Sequence, residues 1–132
     1  MSFNFSTPWR FLPAFCWAAG IWLASSTTWH AETPSLGWWP TWLPADKVLH
    51  ATVFGVLAAL LALPVRHKSS VALGLCWLGA ALWGALDEVH QGYVPGRTQD
   101  PWDWLADAVG ALAAVLLVAH WRQRQVSASG GL

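Results

Sequence analysis

Long apolar runs alternate with short polar segments along most of this chain. The runs predict four helices, over about residues 11–28, 47–64, 70–91 and 101–121. Each is close to the length that crosses a bilayer core of about 30 Å at about 1.5 Å per residue. The pattern therefore predicts an all-α integral membrane bundle of four transmembrane helices. It forms a single domain over residues 1–126, and a Ser- and Gly-rich flexible tail follows over residues 127–132.

The composition supports a lipid environment. Hydrophobic residues make up 55% of the chain and charged residues only 11%, whereas a soluble domain carries about a quarter charged residues to cover its surface. Twelve Trp residues add to this, because Trp concentrates at membrane interfaces. We therefore expect a multi-pass protein of the inner (plasma) membrane, with the lipid bilayer as its main partner.

Charge and cysteine usage exclude two classes of protein. The formal net charge is zero and the largest basic tract is residues 66–68, so we expect no nucleic-acid partner. Cys16 and Cys76 each lie inside an apolar run without metal-binding spacing, which is typical of small buried hydrophobic residues. The sequence identifies no cofactor.

The basic residues predict the orientation of the helices, since cytoplasmic segments are enriched in Lys and Arg. An N-terminus in the cytoplasm leaves only Lys47 and Arg97 outside. The other five, all inside, are Arg10, Arg66, Lys68, Arg122 and Arg124. Both termini are therefore predicted to be cytoplasmic, and all seven acidic residues then face outward.

Residues 29–45 connect the first two spans and are rich in Trp and Pro. Trp29, Trp38, Trp39 and Trp42 lie in this segment, which suits an aromatic layer at the level of the lipid headgroups. Trp102 and Trp104 are predicted at the same level. The layer serves either as an interfacial belt or as a contact for a lipid-like or aromatic ligand.

Polar residues gather at the predicted outer ends of the spans. Asp46 and His50 are four residues apart and share one helix face. Asp46 is placed to cap the second helix, whereas His50 lies a full turn into the span. A polar side chain at that depth needs a partner inside the bundle.

The third span ends in a polar segment that contains Asp87, Glu88, His90 and Gln91. Two adjacent carboxylates at a helix C-terminus oppose the macrodipole, which favours cations there. We therefore expect them to pair with a positive group: Arg97, Lys47, His50 or a bound cation. Gly92 is placed to end the helix, and the Pro95–Gly96 pair predicts a tight turn.

The fourth helix is predicted to begin with Asp100 as N-cap and Pro101 as its first residue. Asp103 follows in the first turn, and Asp107 lies one turn further on. Two rows of small residues, Ala80 with Gly84 and Gly110 with Ala114, are typical of closely packed membrane helices. We expect these rows to bring the carboxylates of the third and fourth helices together.

Ionisable side chains at hydrocarbon depth are costly and mark functional sites. The candidate catalytic residues are His50, Asp87, Glu88 and His90. The candidate ligand-binding residues are Asp46, Lys47, His50, Asp87, Glu88, His90, Gln91, Arg97, Asp103 and Asp107. Asp, Glu and His side chains are able to ligate a divalent metal, but their spacing matches no recognised metal signature, so no metal site is predicted.

These same residues carry a resemblance to a known family. Three blocks, DKxxH from Asp46, DExHQxxxPGR from Asp87 and DxxxDxxG from Asp103, resemble the pattern of the VanZ-like membrane proteins from the first span to the fourth. Position 107, commonly Asn in that family, is Asp here, which adds a charge. The resemblance implies a small four-helix membrane protein. It also suggests a theme in the cell envelope, because the family is named for a member associated with teicoplanin resistance.

Three functions fit these residues. The first is a non-catalytic protein whose outer polar residues bind or modulate an envelope lipid or a cell-wall precursor, an amphiphilic ligand with a polar head. The second is a membrane enzyme that acts on a lipid headgroup or lipid-linked sugar by general acid–base chemistry, with Arg97 holding a phosphate. The third is a structural ion-pair network that locks the bundle. Whether the protein is an enzyme stays open at this point.

Overall fold

The computed structural model describes residues 8–27, 44–65 and 70–129. A short 3₁₀ helix, Pro8–Phe11, leads into α1 (Leu12–Ser25), which is followed by α2 (Ala45–Ala62), α3 (Ser70–Gln91) and α4 (Pro101–Ser129). The described residues contain no strand. The predicted all-α bundle of four helices is confirmed.

Three of the four helices are long and apolar enough to cross a membrane: α2, α3 and α4. The remaining helix, α1, has 14 residues and is shorter than a span. It ends where hydroxyl side chains bond to its last carbonyl groups: Ser26 donates to the Trp22 carbonyl oxygen, and Thr27 donates to that of Ala24.

The last helix is longer than the sequence pattern indicated. It continues to Ser129, so residues 127–129, predicted as part of a flexible tail, are helical. Neither Gly nor Pro interrupts residues 122–129, and the helix therefore meets no residue that would break it. Residues 130–132 lie outside the described part of the chain, as do Arg66, Lys68 and the four Trp residues of the 28–43 segment.

The two helices α2 and α4 run parallel and form the closest pair in the bundle, while α3 packs antiparallel to both. Their matching ends are joined by polar contacts: Lys47 of α2 reaches the start of α4, and Arg122 of α4 donates to the Ala62 and Leu63 carbonyl oxygens at the end of α2. Phe54, Leu57 and Val115 form the apolar interior between them, together with small residues such as Ala58 and Ala111.

The outside of the bundle is apolar. Leu82, Leu86, Val109, Leu116 and Leu117 are each at least 40% exposed, as expected for side chains that face lipid. Cys16 is also exposed, which corrects the expectation that it is buried. Cys76 is partly buried and lies 3.5 Å from the Leu61 carbonyl oxygen.

Indole groups link neighbouring helices within the bundle. The Nε1 atoms of Trp17, Trp77 and Trp104 donate to the carbonyl oxygens of Val53, Ala108 and Ala81, each at 3.0 Å. Trp104, expected in an interfacial belt, is thus bonded to a neighbouring helix. Trp102 remains 69% exposed.

The loop between α3 and α4 contains the predicted turn. The Arg97 amide donates to the Val94 carbonyl oxygen at 3.1 Å, and Gly96 has a φ of 81°, which is the geometry of a type II turn with Pro at its second position. Gly92 does not adopt a positive φ. It lies against the Gln99 side chain, which would overlap any added Cβ atom.

Candidate functional site

Within the described ranges, seven ionisable residues meet at one end of the bundle, and we name them the polar cluster. The start of α2 and the start of α4 contribute most of them, because the two helices are parallel, and the end of α3 completes the set because α3 runs the other way. The members are Asp46, Lys47, His50, Glu88, Asp100, Asp103 and Asp107.

Lys47 is the permanent cation of the polar cluster. Its Nζ lies 3.1 Å from Asp46 Oδ2, 2.5 Å from Asp100 Oδ2 and 2.7 Å from Asp103 Oδ1. Three carboxylates therefore share one ammonium group, and Lys47 ties the N-terminus of α2 to that of α4.

Asp100 begins α4 as predicted. Its Oδ1 accepts a hydrogen bond from the Trp102 amide at 2.9 Å, and Pro101 is the first helical residue. The Lys47 ammonium and this amide hold the pKa of Asp100 below its ordinary value of 3.8.

Asp46 does not cap α2. The helix begins at Ala45 with Pro44 in the N-cap position and no side-chain cap. Asp46 lies in the first turn, where its charge still suits the positive end of the helix dipole, and its partner is Lys47.

His50 and Asp107 form a hydrogen-bonded pair inside the bundle. His50 Nδ1 lies 2.9 Å from Asp107 Oδ1, and Nε2 lies 3.7 Å from Asp103 Oδ1. When Asp107 is ionised it only accepts hydrogen bonds, and the contact then requires the form of His50 that carries a proton on Nδ1. Asp107 is 1% exposed, and its second oxygen, Oδ2, has no hydrogen-bond partner among the described residues.

Glu88 approaches the pair from α3. Its Oε2 accepts a hydrogen bond from the Asp100 amide at 2.9 Å, which fixes the loop before α4 against the end of α3. Its Oε1 is buried without a hydrogen-bond partner in the described part of the chain. The hydrogen-bond partner of Glu88 is thus a neutral backbone amide and not one of the positive side chains that the sequence suggested.

Asp87 belongs to a different hydrogen-bond network, on the side of α3 that faces α1. Adjacent helical positions point about 100° apart, since a turn has about 3.6 residues. Asp87 Oδ1 accepts a hydrogen bond from Ser25 at 2.5 Å, and Oδ2 accepts one from Gln91 at 2.9 Å. Both oxygens are engaged and the side chain is 2% exposed, so Asp87 anchors the end of α1 to α3.

His90 also faces α1. Its ring stacks on Trp22 with centroids 4.0 Å apart, and its Nε2 lies 2.9 Å from Ser26 Oγ. The Ser26 hydroxyl donates its proton to the Trp22 carbonyl oxygen at 2.6 Å, so it accepts from His90. This arrangement gives Ser26 a structural role and leaves His90 away from the polar cluster.

Arg97 lies apart from both carboxylates of α3. Its Nη2 donates to the Thr27 carbonyl oxygen at 3.4 Å, and the ion pairs of the described residues do not include it. Of the four positive partners expected for Asp87 and Glu88, Arg97 is therefore not one that either carboxylate meets. The turn at Gly96 directs the arginine toward the end of α1.

The two rows of small residues were expected to pack α3 against α4, but only the row on α3 does so. Gly84 of α3 does receive Asp107, because a Cβ atom there would lie 2.8 Å from Asp107 Oδ2. Gly110, however, faces α2, where an added Cβ atom would overlap the backbone of Ala51. The row on α4 thus joins it to α2, and only Gly84 brings a carboxylate toward α3.

Three members of the polar cluster are arranged as potential metal ligands. His50, Glu88 and Asp107 each offer one ligand atom, and these atoms all lie within 4.8 Å of one another. The sequence predicted no metal site because the three residues come from different helices. They are far apart along the chain, so they form no short sequence motif of the kind by which metal sites are recognised. Sequence reasoning also missed Ser25, Ser26 and Trp22, whose only signal was their position at the end of a predicted span.

Comparison with known proteins identifies one family. The family model for VanZ/LLP1 matches residues 6–122, a range that includes every residue of the polar cluster. No curated protein and no solved structure matches the chain.

Proposed function

The chain belongs to the VanZ/LLP1 family, and from this premise we propose that its polar cluster binds the headgroup of an envelope lipid or a lipid-linked cell-wall precursor. In this proposal the protein is a multi-pass component of the inner (plasma) membrane with both termini in the cytoplasm. The polar cluster then lies at the outer surface. A contribution to glycopeptide resistance, teicoplanin included, would follow from binding such a precursor.

The observation that carries the proposal is an apolar groove beside the polar cluster. The groove lies between α2 and α4, has a volume of about 440 Å³, and runs from Val48 and Ala51 past Gly55 to Leu117. Val48 follows Lys47 directly in α2. A shallow apolar groove along two membrane helices, which begins one residue after a member of the polar cluster, suits an amphiphile whose chain lies in the groove while its head contacts the cluster.

The exposed members of the polar cluster define the headgroup chemistry. The Asp46 and Asp100 side chains are 52% and 36% exposed, so their carboxylates are accessible from the aqueous end of the bundle. Carboxylates accept hydrogen bonds from hydroxyl groups and attract ammonium groups. A sugar or an amine-bearing headgroup therefore fits better than a bare phosphate.

The test measures binding of a lipid-linked disaccharide precursor to the full chain in lipid nanodiscs. Ala113 lines the groove, and Ala113→Phe is expected to weaken binding at least about tenfold because the larger ring takes up space in the groove. Leu116→Phe is the matched control, since Leu116 is 58% exposed and lies outside the groove. Equal affinities for the two variants would refute occupation of the groove.

A second candidate function is an enzyme on the same ligands. The observation that favours it is the unpartnered Oε1 of Glu88 beside the His50–Asp107 pair, an arrangement that places a carboxylate base next to an oriented imidazole. Turnover of a lipid-linked substrate by the purified protein would support it. Equal turnover by a Glu88→Gln preparation would exclude Glu88 as the base.

A further inference from the structure

We propose that His50, Glu88 and Asp107 hold a divalent transition-metal ion of the Zn²⁺ or Mn²⁺ class. Each of α2, α3 and α4 contributes one of the three side chains, and one ligand atom of each lies within 4.8 Å of the others. An ion there would join all three long helices at a single point.

The buried oxygens of this set point to a missing positive partner. Asp107 is 1% exposed and Glu88 is 8% exposed, yet Asp107 Oδ2 and Glu88 Oε1 have no hydrogen-bond partner among the described residues. Leaving a charged oxygen buried and unpaired is costly. The absence of a side chain at Gly84 makes the room that Asp107 Oδ2 occupies. A metal ion would satisfy both oxygens at once.

The charges of the polar cluster support the same conclusion. Lys47 is already engaged by Asp46, Asp100 and Asp103. Among the described residues, His50 is then the side chain beside Glu88 and Asp107 that is able to carry a positive charge. The cluster holds five carboxyl groups against one lysine, and a divalent cation would reduce this excess of negative charge.

The donor set selects the kind of ion. One imidazole nitrogen with two carboxylate oxygens suits Zn²⁺ or Mn²⁺, whereas Mg²⁺ and Ca²⁺ favour oxygen ligands alone. His50 Nδ1 lies 2.9 Å from Asp107 Oδ1, so one ion is able to contact both atoms, and metal binding would displace the proton between them because a ligating histidine is neutral. Three protein ligands leave a position open for water or a ligand group.

This site does not depend on the proposed function. Metal binding is measured in detergent without any lipid-linked ligand. The metal site and the binding of a lipid headgroup are therefore tested independently. The full chain is treated with a chelator, and Zn²⁺ and Mn²⁺ are then bound by equilibrium dialysis with elemental analysis. Co²⁺ serves as a spectroscopic probe, because its visible absorption reports the ligands around it.

We expect about one Zn²⁺ per chain. Glu88→Gln and Asp107→Asn should each weaken Zn²⁺ binding by about 100-fold or more. Loss of a residue that only hydrogen-bonds to a metal ligand already lowers metal affinity by about 10- to 100-fold. Asp46→Asn is the matched control, because Asp46 is an exposed carboxylate of the same cluster outside the ligand set. Zn²⁺ should also raise the thermal unfolding temperature of the unaltered chain and of Asp46→Asn, but not of the two ligand variants.

Three results would overturn the inference: no stoichiometric binding by the folded chain, equal binding by all variants, or loss of binding in Asp46→Asn as well. Helical content by circular dichroism identifies variants that fail to fold. If Asp107→Asn fails to fold, His50→Gln provides another ligand variant. It removes the imidazole and keeps an amide that is able to hydrogen-bond to Asp107. Unchanged binding and an unchanged Co²⁺ spectrum in His50→Gln would also refute the site.

Discussion

Single glycines allow the closest approaches between the helices. A Cβ atom at Gly110 would overlap the backbone of Ala51, and one at Gly55 would lie 3.1 Å from the Gly110 carbonyl oxygen. Membrane helices have little hydrophobic driving force between them, so their association depends on close backbone contact of this kind. Gly110 is therefore a residue on which the pairing of α2 and α4 depends.

We predict that Gly110→Ala destabilises the bundle by about 1–3 kcal/mol, because the methyl group forces α4 away from α2. The free energy of unfolding in mixed micelles measures the change. Gly74→Ala is the control, since nothing lies within 4 Å of a Cβ atom at that position in α3 and alanine favours helix. Equal stability of the two variants would contradict the prediction.

A second residue-scale prediction concerns Asp100. We predict that Lys47→Met raises the pKa of Asp100 toward its ordinary value of 3.8, because the ammonium partner is lost while the Trp102 amide remains. A carboxyl titration by ¹³C NMR of the labelled protein measures this pKa. Arg124→Gln, far along α4, should leave it unchanged.

The sign of the pH effect follows from linkage. A carboxylate whose pKa is lower in the folded than in the unfolded state stabilises the fold above the unfolded pKa, and this contribution is lost as the pH falls through the folded value. The contribution of the Lys47–Asp100 pair should therefore be complete above about pH 4 and disappear below it. An Asp100 titration that is the same with and without Lys47 would show that the ammonium does not govern it.

At the scale of the helices, indole hydrogen bonds join neighbouring elements. Trp17 links α1 to α2, Trp77 links α3 to α4, and Trp104 links α4 to α3. Each indole N–H needs an acceptor inside a membrane, and a helical carbonyl oxygen has a second lone pair to offer. These bonds satisfy the donors without breaking the helices.

Trp77→Phe should destabilise the α3–α4 pair by about 1 kcal/mol, the usual net value of a hydrogen bond. The infrared carbonyl stretch of ¹³C-labelled Ala108 should shift to higher frequency when its extra donor is removed. Trp102→Phe is the control, because Trp102 is 69% exposed. An Ala108 carbonyl band at the same frequency in Trp77→Phe would rule out the bond.

At the scale of the whole molecule, polarity is distributed unevenly along the bundle. The polar cluster lies at the end where α2 and α4 begin, and the opposite end is closed by the Arg122 contact with the last carbonyl groups of α2. Most of the surface between the two ends is apolar. The molecule therefore presents one acidic end, and the basic-residue bias predicts that this end faces outward.

Cysteine labelling checks this orientation in cells. In a chain with Cys16 and Cys76 replaced by Ala, we predict that Thr98→Cys reacts with a membrane-impermeant maleimide on intact cells. Gln125→Cys should react only after the membrane is permeabilised. Both positions are exposed. Thr98 lies in the loop just before α4, and Gln125 lies near the other end of that helix. The reverse pattern would place the polar cluster in the cytoplasm and refute the proposed outer binding site.

The helices themselves were largely predictable because their signals are local. Apolar length, Pro101 after Asp100, and the Pro95–Gly96 pair each act within a few residues, and the start of α4 and the turn are confirmed. The contents of the site were less predictable. Asp87 and Glu88 are adjacent in sequence, yet Asp87 bonds to α1 whereas Glu88 lies beside His50 of α2 and Asp107 of α4, since neighbouring helical positions point in different directions.

The sequence by itself determined that this chain is a helical membrane protein with ionisable residues at one end of its spans, because hydropathy, turn residues and charge bias are properties of short segments. Tertiary structure alone decided which of those residues meet. Gly110 brings α4 against α2, Gly84 makes room for Asp107, and Ser25 draws Asp87 away to α1. Contacts between side chains on different helices depend on how closely and at what rotation the helices pack, and no spacing along the chain encodes that geometry.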